Sequence, residues 1–142
     1  MDAMGGMRRS LRASFLALAV LVSGCADTCA NEIVDRVGSP NGNYDAVLFQ
    51  RDCGATTGFS TQISLVPAGE DIEGSGNVFV ADDSHGRAEA GSWGGPWAQI
   101  RWKSGELDVS YAAGSRIFEQ NRLVSDIAVQ FRPLAPNAKR PT

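Results

Sequence analysis

Apolar and polar residues alternate in short stretches between positions 32 and 132, and each stretch is bounded by glycine, proline, asparagine or serine. A period of two predicts strands, and the regular punctuation predicts tight turns between them. Residues 32–37 alternate well enough for a first strand, with a single helical turn as the alternative. Residues 38–43 are dense in turn formers, Asn41-Gly42 above all. Residues 44–50 are apolar on both sides, with Val47 and Phe49 alternating with Tyr44, Ala46 and Leu48, which predicts a strand central in its sheet. Residues 59–65 alternate more cleanly. Phe59, Thr61, Ile63 and Leu65 share one face and Ser60, Gln62 and Ser64 the other, so one face of this strand is expected to be wet.

Residues 67–76 hold three glycines, a proline and the acidic Glu70, Asp71 and Glu73, the composition of an exposed loop. A short buried strand is expected over 77–81. Residues 82–95 have no periodicity and carry the single histidine, His85. The firmest local prediction follows, because 97–102 and 106–111 fit one register around a two-residue Ser104-Gly105 turn. That register sets Lys103 opposite Glu106, Trp102 opposite Leu107, Arg101 opposite Asp108 and Ile100 opposite Val109, pairing charge with opposite charge and apolar with apolar. A brief strand at 116–118 and a last one at 126–132, with Ile127, Val129 and Phe131 pointing inward, complete the domain. About seven to eight short strands predict an all-β fold, a small antiparallel β-sandwich or barrel over residues 32–132. From Pro133 the prolines and small polar residues predict a disordered tail, 133–142.

The N-terminus reads differently. Arg8, Arg9 and Arg12 precede an apolar run over 13–22, too short for a membrane span of roughly 20 residues and suited to an export signal. The run ends Leu21, Val22, Ser23, Gly24, Cys25, which looks like the lipobox of bacterial lipoproteins. The resemblance implies a signal peptide over 1–24, cleavage before Cys25, lipidation of the Cys25 sulfur and a lipidated tether over 25–31. Acyl chains contribute about 0.8 kcal/mol per buried CH₂, so two or three of them hold a protein on a bilayer durably. The alternative is an ordinary cleaved signal and a soluble periplasmic product. The expected address is the bacterial cell envelope, periplasm-facing, with the outer membrane favoured because Ala26 and not Asp follows the lipidated cysteine.

Charge narrows the partners. The whole chain has a formal net charge of −3, and removing Arg8, Arg9, Arg12 and Asp2 with the signal leaves it more acidic. Such a domain has no electrostatic reason to bind nucleic acid. With Cys25 assigned to lipid, Cys29 and Cys53 are left to pair, which export into an oxidising envelope favours. The alternative keeps Cys53 as a reactive thiol activated by His85 and oriented by Asp82 or Asp83. One histidine and no free cysteine pair are too few for zinc, and neither acidic loop has the spacing of a calcium site. No cofactor, metal or catalytic set is therefore expected.

Three tryptophans bear on binding. Trp102 shares a face with Ala98 and Ile100 and is expected in the core. Trp97 falls on the charged face with Gln99 and Arg101, and Trp93 sits among glycines, which makes Trp93 and Trp97 the candidate ligand contacts. Residues 51–64, Arg-Asp-Cys-Gly-Ala-Thr-Thr-Gly-Phe-Ser-Thr-Gln-Ile-Ser, together with the preceding 39–46, resemble a group of small uncharacterised bacterial exported proteins. That resemblance implies no activity. The function expected is a non-enzymatic binding or structural domain, anchored to the membrane through Cys25, whose partner is an envelope protein or polymer. The alternatives are a small inhibitor or immunity-type lipoprotein acting on an envelope hydrolase or toxin, and a Cys53-dependent thiol enzyme.

Overall fold

The structure, a computed structural model, describes residues 28–54 and 58–142. The expected signal peptide and the lipidated Cys25 lie outside the described residues. Within them the alternating stretches form nine strands and no helix: β1 (Ala30–Gly38), β2 (Tyr44–Asp52), β3 (Ser60–Pro67), β4 (Phe79–Asp82), β5 (Ala98–Lys103), β6 (Glu106–Ala112), β7 (Arg116–Gln120), β8 (Leu123–Val124) and β9 (Ile127–Leu134). They make two sheets, ordered β1-β2-β3-β4-β7 and β5-β6-β9-β8. The fold is therefore a sandwich and not a barrel, and the short β8 adds one strand that the sequence pattern did not suggest.

The period of two explains the core directly. Ala46, Leu48, Ile63, Leu65, Phe79 and Ala81 from the first sheet meet Ala98, Ile100, Leu107, Val109 and Val129 from the second, all of them buried. Phe79 lies between the layers, its ring 5.2 Å from that of Tyr111 and 5.9 Å from that of Phe131. Trp102 packs against this core and its indole N–H donates to the Val37 carbonyl at 2.9 Å, tying the sheets together. The hairpin β5–β6 has the expected register at all four pairs, around Ser104 and Gly105 at φ 52° and 79°. Positive φ at both central residues gives the turn whose twist matches that of its strands.

Three features depart from the sequence expectation. The first is that β9 lies parallel to β6, Leu107 opposite Val129 through Ala112 opposite Leu134, whereas an antiparallel fold was expected. A parallel pair needs a crossover, and here the chain makes it by passing through the other sheet as β7. The second is that both ends of the domain run further than expected. Ala30 and Asn31, assigned to the tether, pair with Asp52 and Arg51, and β9 takes in Pro133 and Leu134, assigned to the tail.

The third concerns the outer face of the first sheet. Gln62 and Ser64, expected to be wet, are each only 4% exposed, and Val47 and Phe49 are fully buried on the same face. The acidic loop after β3 folds back as a strap across them. Gln62 Oε1 accepts from Ser75 Oγ and the Gly76 N–H, Ser64 Oγ accepts from the Asn77 N–H, and the Arg36 side chain donates to the Glu70 carbonyl. Buried polar side chains are in most cases hydrogen-bonded, and here the strap supplies the partners through the Ser75 hydroxyl and the N–H groups of Gly76 and Asn77. The contact is close enough to require glycine at 76, where a Cβ would stand 2.7 Å from both the Ile63 and the Phe79 carbonyl oxygens.

The strands divide the molecule into two ends. Tight turns at 39–43, 104–105 and 125–126 close one end. The other collects the start of β1, the end of β2, the start of β3, the end of β4, the irregular segment 83–97 and the C-terminal segment.

Candidate functional site

Cys29 and Cys53 form a disulfide, which fastens the N-terminal strand to the end of β2. This is the pairing expected from the sequence, and it places Cys53 at the irregular end. There the outer face of the first sheet carries a single cross-strand row, Arg51 beside Ser60 beside Asp82 beside Arg116. The row exists because β2, β3, β4 and β7 are consecutive neighbours and each contributes an outward-pointing residue at the same level. With Cys53, Val80, Asp83, His85 and Phe118 these residues line a cleft of about 410 Å³.

The polar groups of the cleft are held in place. Arg51 NH1 donates to Asn31 Oδ1 at 2.7 Å and to the Gly74 carbonyl at 2.9 Å, so the strap positions it. Ser60 Oγ donates to the Arg51 carbonyl at 3.0 Å and accepts from Gln62 Nε2 at 2.9 Å. Arg116 Nε lies 3.1 and 3.2 Å from the two carboxylate oxygens of Asp82, and its NH2 makes a second contact to Oδ2. Burial alone would push the Asp82 carboxyl up. The hydrogen bonds from Arg116 and from the Ser84 N–H outweigh it and hold Asp82 below the ordinary carboxylate value of 3.8.

The far wall is a loop in an uncommon conformation. Ser84, His85 and Gly86 all have positive φ, 51°, 60° and 81°. Two of these are not glycine, and such backbone costs on the order of 1 kcal/mol per residue unless its surroundings enforce it. Asp82 Oδ1 accepting from the Ser84 N–H, and the Asp83 carbonyl accepting from the Ala88 N–H, are the bonds that enforce it here. The consequence is that His85 stands exposed at the rim.

One apolar group is left uncovered. Phe118 is 60% exposed, and the Arg116 guanidinium lies 5.1 Å from the centre of its ring. The cleft thus offers an aromatic face, the apolar Val80 and fixed donors from arginine. That combination suits an amphipathic ligand whose apolar part stacks on Phe118 while its polar part meets the charged row. Among the described residues, the Cys53 sulfur is bonded to Cys29 and the Ser60 hydroxyl donates to a backbone carbonyl. Cys53 and His85 line the same cleft, and the Cys53 sulfur there is in a disulfide.

The tryptophans chosen from the sequence take other places. Trp93 is partly buried against the core with its ring over Gly91, and its indole N–H donates to Thr61 Oγ1 at 2.9 Å. Thr61 in turn donates to the Pro96 carbonyl, so Trp93 closes the end of the sandwich. Trp97 lies under Arg140, whose guanidinium is 4.3 Å from the ring centre. The residues sequence reasoning passed over are Arg51, Arg116 and Phe118. The alternation at 116–118 already sets Arg116 and Phe118 on one face, but nothing local says that the face looks outward. Among the described residues no group of three or more His, Cys, Asp or Glu side chains is placed to hold a metal ion.

Comparison with protein families, with curated proteins and with solved structures found no match to this chain.

Proposed function

We propose that the chain is a lipid-anchored, non-enzymatic binding domain of the bacterial cell envelope, and that the cleft beside the disulfide receives its envelope partner. The observation that carries the binding half is Phe118, a large apolar side chain left 60% exposed beside a bidentate arginine on the wall of a cleft. Phenylalanine and arginine are both enriched at protein contacts relative to the rest of the surface. The anchoring half rests on the lipobox ending at Cys25.

Four residue steps separate Cys25 from Cys29, at most roughly 14 Å of extended chain. Cys29 is fixed to Cys53, and Cys53 lines the cleft. On this proposal the cleft faces the membrane surface, and its partner is a component met there.

Site-specific photo-crosslinking in the native envelope tests this. A photoreactive residue in place of Phe118 is expected to give one discrete adduct. The same probe in place of Leu123, which is 67% exposed at the opposite end, is expected to give none. Adducts at both positions, or at neither, overturn the binding site. Separately, incorporation of a clickable fatty acid that persists in Cys25→Ser overturns the anchor.

A further inference from the structure

The contact between Trp97 and Arg140 is built unequally from its two sides. Trp97 and Glu89 belong to the framework. The Trp97 N–H donates to the Glu89 carbonyl at 2.8 Å, the Ala112 N–H donates to the Trp97 carbonyl at 2.8 Å, and Ala90 bridges Pro96 between them. None of these bonds involves the C-terminal segment, so the backbone positions that carry the indole and the carboxylate are held beside each other by the framework alone. Arg140 supplies what they lack. Its guanidinium lies 4.3 Å from the Trp97 ring centre and pairs with the Glu89 carboxylate.

The segment that carries Arg140 is weakly fastened. Its last bond to the sheet is the Leu134 carbonyl accepting from the Ala113 N–H. Beyond that, the backbone bond it makes among the described residues is its own turn, Ala138 N–H to Ala135 carbonyl. Both members of the Arg140–Glu89 pair are close to half exposed, 46% and 43%, a setting in which ion pairs and cation–π contacts are weak. A cleft of about 380 Å³, with Leu134, Asn137 and Ala138 on its tail side, opens beside the pair.

We propose that Trp97 and Glu89 form a guanidinium-binding site, that Arg140 fills it from within the chain, and that an arginine side chain on a segment of a partner protein fills it when the tail lifts. Charge complementarity and the occupant already present both specify the ligand class. A planar guanidinium stacks flat on an indole while its edge donates to a carboxylate, whereas an ammonium of the same charge has no face to stack. The site lies at the same end as the Phe118 cleft but does not depend on it, nor on the lipid anchor.

The test is an NMR titration of the full chain in detergent solution with acetyl-arginine amide, following the indole N–H resonances. Those of Trp93 and Trp102 are bonded to Thr61 and Val37 and serve as internal references. In Arg140→Ala the Trp97 resonance is expected to move with an apparent affinity about tenfold tighter than in the parent, the gain for a site filled nine-tenths of the time from within. Adding Glu89→Gln is expected to abolish that movement, and acetyl-lysine amide is expected to bind more weakly than the arginine probe. No movement of Trp97 in Arg140→Ala, or movement unchanged by Glu89→Gln, overturns the site. Equal affinity in parent and Arg140→Ala overturns the tail as its occupant, and equal affinity for the two probes overturns its guanidinium preference.

Discussion

The two ends of the sandwich are held by different kinds of bond. At the turn end the chain reverses in a few residues and the backbone satisfies itself: the Ser39 N–H donates to the Tyr44 carbonyl at 2.7 Å, and Gly42 to Ser39 at 2.9 Å. Ser104 with Gly105 and Ser125 with Asp126 take positive φ in two-residue turns. At the cleft end backbone bonds such as that from the Ala88 N–H to the Asp83 carbonyl are joined by a disulfide, the Arg116–Asp82 pair and the Arg140–Glu89–Trp97 cluster. Side-chain contacts at a surface can be exchanged for contacts to a partner, and turn hydrogen bonds cannot. On the proposal above, binding is expected at the end that these side chains help to close.

The comparison is open to experiment, and the largest effect should come from the disulfide. Replacing both Cys29 and Cys53 by alanine is expected to cost about 3 kcal/mol and to lower Tm on the order of 10 °C. Hydrogen exchange should quicken in β1 and at the end of β2 and stay slow at the Ser104-Gly105 turn. Uniform quickening would mean that the two ends are not independent. A smaller loss is expected at the turn end. Gly105→Val forces a β-branched residue into φ 79° and should cost about 1–2 kcal/mol, read by chemical denaturation, without weakening any ligand contact at the cleft.

Acid should probe both ends together. Asp45 near the turns is held below the ordinary 3.8 by the hydrogen bonds from the Gly69 N–H and from Arg36, and Asp82 at the cleft is lowered as described above. Because both carboxyls are depressed in the folded protein, the stability they lend is whole above the ordinary value and is lost as pH falls through their lower folded values. Thermal melts between about pH 5 and about pH 2 should show a decline that Asp45→Asn and Asp82→Asn each reduce. A decline unchanged in both variants would remove these two groups from the account. The smallest effect is expected at Phe118. Its replacement by alanine should change stability by less than about 0.5 kcal/mol, as for surface positions generally, while weakening partner capture by a photoreactive residue placed at His85 on the rim of the same cleft. A large loss of stability would recast Phe118 as structural.

How far the site was legible follows the range of the signals involved. Arg116 and Phe118 could be put on one face from their spacing, because alternation is a property of neighbours in the chain. That this face borders Arg51, Ser60 and Asp82 depends on strand order, which joins residues from four separate strands and leaves no local mark. The same holds for Gln62 and Ser64, whose polar alternation looked solvent-facing until the strap supplied them with partners.

By itself the sequence determined eight of the nine strands to within a few residues and the β5–β6 register down to each pair, and it favoured the disulfide over a free Cys53, because period, turn chemistry and the count of cysteines act locally. Only the tertiary structure decided the parallel β6–β9 pairing, the covered outer face, the row of charges at the cleft and the seat of Arg140 on Trp97. Those depend on which distant segments come to lie side by side. That choice is made by the burial of whole faces, which no short stretch of sequence encodes.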